Sequence, residues 1–195
     1  VDRVTEEQNQ NPPGGAPEEA VVASPRRWWI LVALSLATII IQFDQSGMTL
    51  ALPHIQAELG ATTQQLQWVM DAYSLALASV VLTAGAVSDR YGRRKVFLLG
   101  IAVLAAGSLI GALAPDANVV IAGRALMGVG GAMFMPGTLS IITHVFDRVT
   151  RPTAIGIWGA VTSLGVIVGP LISGAVLQIW HWRGIFVLNV VMAAI

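Results

Sequence analysis

The sequence predicts an all-α membrane protein with five transmembrane helices and the start of a sixth. Hydrophobic residues make up 55% of the 195-residue chain, and the mean hydropathy is +0.71. Only 11% of the residues are charged, against about 25% in soluble proteins. The apolar residues form blocks near or above the roughly 20 residues that a bilayer-spanning helix needs. Basic residues concentrate in alternate connections between these blocks, which is typical of multi-pass proteins.

The predicted spans follow one another along most of the chain. They cover about residues 28–53, 68–88, 96–114, 118–142, 153–179 and 184–195, and we expect the last one to be truncated. Residues 1–25 are polar and rich in Pro, Gly and Glu, as in NPPGGAPEEA, which predicts a disordered cytoplasmic tail before a helix bundle over residues 26–195. The first residue is Val, as expected for a fragment or for a non-AUG start codon read literally.

The positions of Lys and Arg predict the orientation of the helices. Basic residues precede the first span and occur in the second and fourth connections: Arg26, Arg27, Arg90, Arg93, Arg94, Lys95, Arg148 and Arg151. The connections HIQAELGATTQQLQ and PDAN have no Lys or Arg. The positive-inside rule therefore places the N-terminus in the cytoplasm, and we expect a multi-pass protein of the plasma membrane. Four tryptophans fit interfacial belts on opposite sides of the bilayer: Trp28, Trp29, Trp180 and Trp182.

Three charged residues lie inside the predicted spans. At about 1.5 Å per residue, Asp44 lies roughly 13 Å, Arg124 roughly 9 Å and Asp71 roughly 5 Å from the outer ends of their spans. A charge inside a bilayer is costly unless it is paired or hydrated, so each residue is a candidate functional group. Since Asp44 and Arg124 have opposite charges at similar depth, we hypothesise that they pair across a cavity. Depth alone does not give their lateral positions.

The second span carries a polar face. Asp71 and Asp89 are 18 residues apart, which is five helical turns, so they share this face with Ser74, Ala78 and Gly85. Small and polar residues disfavour contact with lipid, which predicts that the face points to the protein interior. Asp89 ends the helix where the macrodipole disfavours an anion, so we expect it to pair outside its own helix.

A basic turn follows this span in the sequence DRYGRRK. Gly92 suits the left-handed conformation of a tight reversal. The arginines and the lysine after it supply charge for ion pairs or for lipid headgroups. The alternative is that the segment is only a positive-inside loop.

Glycines line one face of the fourth span and one face of the fifth. In the fourth span, Arg124 shares its face with Gly128, Gly131 and Met135, which predicts close approach by a neighbouring helix or by a substrate. Snorkelling toward the outer headgroups is the alternative for Arg124. The fifth span has small residues at helical spacing, namely Thr162, Gly165, Gly169 and Ser173, and its Pro170 predicts a bend. This second face is equally typical of a simple packing seam.

Together these segments resemble the major facilitator superfamily, and most closely its multidrug proton-antiporter branch of 14-helix exporters. GAVSDRYGRRKV resembles the signature between the second and third helices, and GRALMGVGGA resembles the arginine–glycine motif of the fourth. GVIVGPLISG resembles the antiporter motif of the fifth helix, with Ser173 at a position that is usually glycine. FDQSGMTLALPHI resembles the acidic motif of the first, with Ser46 in place of the usual threonine. The matches cover about residues 28–195 in the expected order.

The resemblance implies roles for individual residues. Asp44, Asp71 and Arg124 would belong to the path of protons and substrate. The cytoplasmic gate motif would comprise Gly85, Asp89, Arg90, Gly92, Arg93 and Arg94. The motif of the fourth span would comprise Arg124, Gly128 and Gly131, and the flexible antiporter motif Gly165, Gly169, Pro170 and Gly174.

The fold implied is the N-terminal half of a major-facilitator transporter. Its function would be proton-coupled efflux of hydrophobic or cationic drugs and antibiotics by alternating access. The partners would be protons, these substrates, the lipid bilayer and the remaining C-terminal half, and the 195-residue chain by itself is expected not to transport. The substrate and the total of 12 or 14 helices stay open.

The sequence leaves two other classes of function open and disfavours an enzyme. A specific metabolite transporter, either symporter or exporter, and a non-transporting remnant, sensor or assembly partner remain alternatives. An enzyme is not expected, because no nucleophile–base set or phosphate loop is recognisable. We expect no cofactor, no metal and no nucleic acid. The chain has no cysteine, and its isolated histidines, His54, His144 and His181, suit structural or interfacial positions.

Overall fold

The computed structural model describes residues 26–194, which form six α-helices. They are α1 (Arg26–Leu59), α2 (Thr63–Tyr91), α3 (Arg93–Ala112), α4 (Ala117–Val145), α5 (Arg151–Ile179) and α6 (Arg183–Ala194). The predicted disordered tail, residues 1–25, lies outside the described residues. Helices α1 to α5 are long and apolar enough to cross a membrane, whereas α6 has 12 residues.

Most of the helices extend further at one or both ends than the apolar blocks that predicted them, although α3 ends at Ala112, before the predicted residue 114. The expected first connection, residues 54–67, is mostly helical, because α1 continues to Leu59 and α2 begins at Thr63. A capping box starts α2: Thr62 Oγ1 accepts from the backbone N–H of Gln65, and Gln65 Oε1 accepts from the N–H of Thr62. Hydropathy marks where lipid contact ends, whereas backbone hydrogen bonds continue the helix into polar residues.

Helix α4 is packed between α2 and α3, α1 packs mainly on α5, and α6 lies against α3 and α1. Glycines allow α4 to touch both neighbours. A Cβ atom at Gly130 would lie 2.5 Å from the backbone nitrogen of Leu104 on α3, and one at Gly128 would overlap the carbonyl oxygen of Tyr73 on α2. The glycines of α4 therefore admit neighbouring helices at these positions.

The small-residue face of α5 forms a packing seam with α1. A Cβ atom at Gly169 would lie 2.5 Å from Ser46 Oγ, so the two helices meet closely there. One turn further, the buried Ser173 sits against Gly47, where an added Cβ atom would lie 2.8 Å from its hydroxyl oxygen. A glycine on α1 thus makes room for the serine that departs from the antiporter motif.

The prediction of interfacial tryptophans is wrong for Trp182. Its side chain is buried, and its Nε1 donates to Glu58 Oε2 at 2.8 Å. The indole belongs to an apolar cluster with Ile185 and Phe186 and also reaches a carboxylate near the end of α1. The exposed Trp28, Trp29 and Trp180 agree with positions at the bilayer interface.

Candidate functional site

Asp44 and Arg124 form an ion pair inside the bundle. Arg124 Nη1 donates to Asp44 Oδ2, and the two side chains are 0% and 1% exposed, respectively. The groups touch directly rather than across a cavity, and their contact joins α1 to α4. A buried ion pair loses much hydration energy, so it needs further hydrogen bonds to hold it in place.

Three groups from other parts of the fold complete this buried network. Arg124 Nε donates to the carbonyl oxygen of Val69 at 3.0 Å, and its guanidinium carbon lies 4.5 Å from the centre of the Tyr73 ring. Asn189 Nδ2, from α6, donates to Asp44 Oδ1 at 2.7 Å. Both oxygens of the carboxylate therefore accept a hydrogen bond, and the arginine gains a cation–π contact.

Gly128 of α4 explains why Arg124 reaches the backbone of α2. Gly128 lies one turn after Arg124, and Tyr73 lies one turn after Val69. Because Gly128 has no side chain, the carbonyl of Tyr73 approaches α4 closely. The preceding turn of α2 is then near enough for Val69 to accept from the guanidinium. The absence of a side chain at Gly128 thus allows Arg124 to reach the backbone of α2.

Three residues of the site were not predicted from the sequence: Val69, Tyr73 and Asn189. For Asn189 a signal existed, because it is the one polar residue in the apolar run IFVLNVVM. A buried amide, like the buried carboxylate of Asp44, is costly unless it is hydrogen-bonded. For the carbonyl of Val69 and the ring of Tyr73 no signal is visible, since both act through contacts that only the packing of α2 on α4 creates.

The structure does not bring Asp71 into this network. Asp71 is exposed, as are Ser74 and Ala78 on the same face, whereas Val69 and Tyr73 on the other face are buried. The prediction that the polar face points to the interior does not hold within residues 26–194, because none of these helices covers it. Since α2 begins at Thr63, Asp71 lies roughly 12 Å along the helix, level with the contacts to Arg124.

The gate motif forms an exposed turn between α2 and α3. Gly92 has a φ of +100°, as its position in the reversal predicts. Arg93 Nε and Nη2 donate to Asp89 Oδ1 at 3.2 and 3.1 Å, so Asp89 pairs outside its own helix as expected. The other charged members, Arg90 and Arg94, are exposed, and a Cβ atom at Gly85 would meet nothing within 4 Å.

The four residues of the antiporter motif divide into two groups. Gly165 and Gly169 are buried against α1. Pro170 is exposed, and Gly174 is half-buried with no atom within 4 Å of an added Cβ. Only the first pair belongs to the α1–α5 seam.

A further ion pair lies at the C-terminal end of α1, where the sequence predicted no site. Glu58 pairs with Arg183, and His181 Nε2 lies 2.5 Å from Glu58 Oε2. Arg183 Nη2 also donates to the carbonyl oxygen of Ala114 at 3.0 Å. This cluster fastens α6 to the ends of α1 and α3, and it gives His181 a structural position.

Another ion pair lies at the end of the bundle where α1 begins. Arg27 Nη1 lies 3.2 Å from Asp147 Oδ2, which joins α1 to the connection between α4 and α5. The backbone N–H of Thr150 donates to Asp147 and, together with Arg27, holds the pKa of this carboxyl below its usual range.

Comparison with known proteins gives a consistent picture. A family model described as Major Facilitator Superfamily matches residues 34–195. The multidrug efflux pump LfrA of Mycolicibacterium smegmatis is 38% identical over 169 residues, which is 86% of this chain and 34% of that protein. The puromycin resistance protein pur8 of Streptomyces alboniger is 37% identical over 170 residues, 87% of this chain and 34% of that protein.

A third relative is the methyl viologen resistance protein SmvA of Salmonella typhimurium. It is 37% identical over 166 residues, which cover 85% of this chain and 34% of that protein. The chain thus spans about a third of the length of these relatives.

Two solved structures share the fold over most of the chain. A bacterial homolog of the human lysosomal transporter Spinster superposes with a TM-score of 0.74 at 20% identity, covering 88% of this chain and 42% of that one. A peptide transporter POT in complex with sulfate has the same TM-score and identity and covers 84% of this chain and 35% of that one. At this identity the similarity concerns the fold alone.

Proposed function

The chain belongs to the major facilitator superfamily, and we propose that it forms the N-terminal half of a proton-coupled exporter of hydrophobic or cationic drugs. Its five long apolar helices and its family make it a multi-pass membrane protein. The observation that carries the proposal is the buried ion pair between Asp44 and Arg124. Burying an acid and an arginine inside a membrane protein costs free energy, so such a pair is a candidate proton site.

Protonation of Asp44 would change the strength of the contact between α1 and α4. The ionised carboxylate makes a charge-assisted hydrogen bond with Arg124, whereas a protonated carboxyl makes a weaker, neutral one. The strength of the hydrogen bond that joins α1 to α4 therefore depends on whether Asp44 is protonated. A proton taken up on one side of the membrane and released on the other would bias the helices between two arrangements, as alternating access requires.

A recess about three helical turns from Arg124 along α4, which neither Asp44 nor Arg124 lines, suits a flat aromatic cation. It has a volume of about 440 Å³ and lies among α1, α2, α4 and α5, with Gln42, Met135 and Trp158 in its lining. The indole ring can stack on an aromatic cation, and the methionine adapts to different shapes. Gln42 lies two residues before Asp44 on α1. The names of the relatives, which concern multidrug efflux, puromycin resistance and methyl viologen resistance, support drug export.

The remaining predicted residues take supporting roles in this proposal. Asp71 lies on the uncovered face of α2 and would line the path or meet the C-terminal half of the transporter. Asp89 and Arg93 would act at the cytoplasmic gate, and the α5 seam with Gly165 and Gly169 would flex against α1. The lipid bilayer would surround the outer surface of the bundle, and the N-terminus would face the cytoplasm.

Ethidium efflux tests the proposal. Cells would express the full-length protein encoded by the reading frame that contains this chain, and its Asp44→Asn variant, at matched membrane levels. We expect efflux that depends on the proton gradient, and its loss in Asp44→Asn because the substituted amide cannot be ionised.

The matched control is Asp116→Asn, which also removes one carboxylate. Asp116 caps α4 by accepting from the N–H of Asn118 at 2.8 Å, and asparagine caps equally well, so efflux should persist. Undiminished proton-dependent efflux in Asp44→Asn would remove Asp44 from the coupling role. Absence of drug efflux from the unsubstituted protein would favour a transporter of a specific metabolite.

A further inference from the structure

Asn189 contacts Asp44 with only one half of its amide group. Its Nδ2 donates to Asp44 Oδ1 at 2.7 Å, and its side chain is fully buried. Its Oδ1 accepts no hydrogen bond from any residue in the range 26–194. Buried polar atoms in proteins are nearly always paired, so an unpaired carbonyl oxygen beside an ionisable acid needs an explanation.

The neighbouring turn of α6 is held firmly in place. Ser108 Oγ, on α3, donates to the carbonyl oxygen of Phe186 at 3.0 Å in a buried contact. The ring of Phe186 also fills the space over Gly111, where an added Cβ atom would lie 2.5 Å from it. Phe186 precedes Asn189 by about one helical turn. The amide can therefore turn about its terminal torsion, which is soft, more readily than the helix can move.

We propose that Asn189 is a positioning residue that holds Asp44 in both of its protonation states by reversing its amide. This inference rests on the proposed proton site at Asp44. An ionised carboxylate only accepts hydrogen bonds, so the amide donates to it through Nδ2. A proton added to Asp44 Oδ1 makes that oxygen a donor. Half a turn of the amide then presents Asn189 Oδ1 as its acceptor, while Asp44 Oδ2 continues to accept from Arg124.

The other groups around Asp44 leave this acceptor role to Asn189. Arg124 has only donors, so it can pair with the carboxylate but not with an added proton. Tyr73 turns its ring to Arg124, and its hydroxyl lies beside Gly131, 3.1 Å from the position of an added Cβ atom. An amide is suited to both states because it carries a donor and an acceptor at the same distance from the backbone.

Infrared difference spectra of the purified full-length protein in lipid, recorded between acidic and basic pH, test the inference. The carboxylic acid band of Asp44 is identified by its loss in Asp44→Asn. We expect it at the frequency of a hydrogen-bonded acid, together with a change in the amide band of Asn189. In Asn189→Leu, which has similar size and no polar atom, the acid band should move to the higher frequency of a free acid, and the amide change should vanish.

The control is Ser108→Ala, which weakens the anchor of α6 without touching Asp44 and should leave the band at its original frequency. If Asn189→Leu does not accumulate in the membrane, the smaller Asn189→Val should show the same shift. An Asp44 band that is unchanged in these variants overturns the inference, as does an Asp44 that stays ionised at every pH tested.

These spectra need no drug, so they separate the inference from the proposed function. A shifted band together with undiminished efflux from Asp44→Asn would support amide reversal and remove Asp44 from coupling. Loss of efflux in Asp44→Asn with an unshifted band in Asn189→Leu would support the coupling role of Asp44 and overturn amide reversal.

Discussion

Two ion pairs in this chain use the same chemical groups in opposite surroundings. The pair of Arg124 and Asp44 is 0% and 1% exposed, whereas the pair of Arg93 and Asp89 is 44% and 68% exposed. Water screens the exposed pair, so its attraction contributes little to stability. The buried pair has lost its hydration, and each charge depends on the other. The comparison shows that burial, more than the chemistry of the groups, sets the importance of an ion pair.

The two pairs also differ in what supports them. The buried carboxylate accepts from Asn189 as well as from Arg124, and the guanidinium contacts α2 at Val69 and Tyr73. The exposed pair joins two residues four positions apart across a glycine turn. A local pair forms wherever its turn forms, whereas the buried pair requires four helices to be assembled correctly. The buried pair is therefore a sensitive reporter of the whole bundle.

The largest effect is expected from breaking the buried pair on one side. Arg124→Leu leaves the charge of Asp44 without its arginine, which should lower the free energy of unfolding by about 3–5 kcal/mol. Thermal unfolding of the purified protein in detergent measures this loss. Asp44→Leu combined with Arg124→Leu should recover much of it, because an apolar pair leaves no uncompensated charge. A double variant no more stable than Arg124→Leu would show that the two charges are not coupled.

An intermediate effect is expected from packing beside the buried pair. The Cβ atom in Gly128→Ala overlaps the carbonyl of Tyr73, so the variant should cost about 1–3 kcal/mol and move Arg124 from Val69. Gly137→Ala is the control on the same helix, because its Cβ atom would lie 3.8 Å from Phe97, an ordinary contact distance. Alanine also favours helix, so this control should be neutral or slightly stabilising. Equal unfolding temperatures for both variants would contradict the close approach of α4 and α2.

The smallest effect is expected at the exposed pair. Asp89→Asn should change the free energy of unfolding by less than about 1 kcal/mol, because solvent screens the lost attraction to Arg93. The difference should shrink further at high salt. Unfolding curves of the two proteins at low and high ionic strength measure both. A salt-independent loss as large as that of Arg124→Leu would mean that the pair is buried in the assembled transporter.

Much of the fold could be predicted from the sequence because the signals are local. Span number follows from apolar length, and Gly92 and Asp89 behave as their positions in a turn require. The depths of Asp44 and Arg124 were close enough for pairing to be considered. Helix ends were predicted less well, since a capping pair such as Thr62 and Gln65 extends α2 beyond its apolar block.

Hydropathy and residue order are enough to predict that this chain enters a membrane, which family it resembles and roughly how deep its charges lie. None of these properties depends on which helices are neighbours. The contacts between side chains, in contrast, depend on how the helices pack. Asp44 finds Arg124 80 positions away and Asn189 145 positions away, while Asp71 remains exposed at a similar depth. The position of a residue along its helix can be counted from the sequence of that helix alone. What its side chain contacts depends on the helices that are packed against that side.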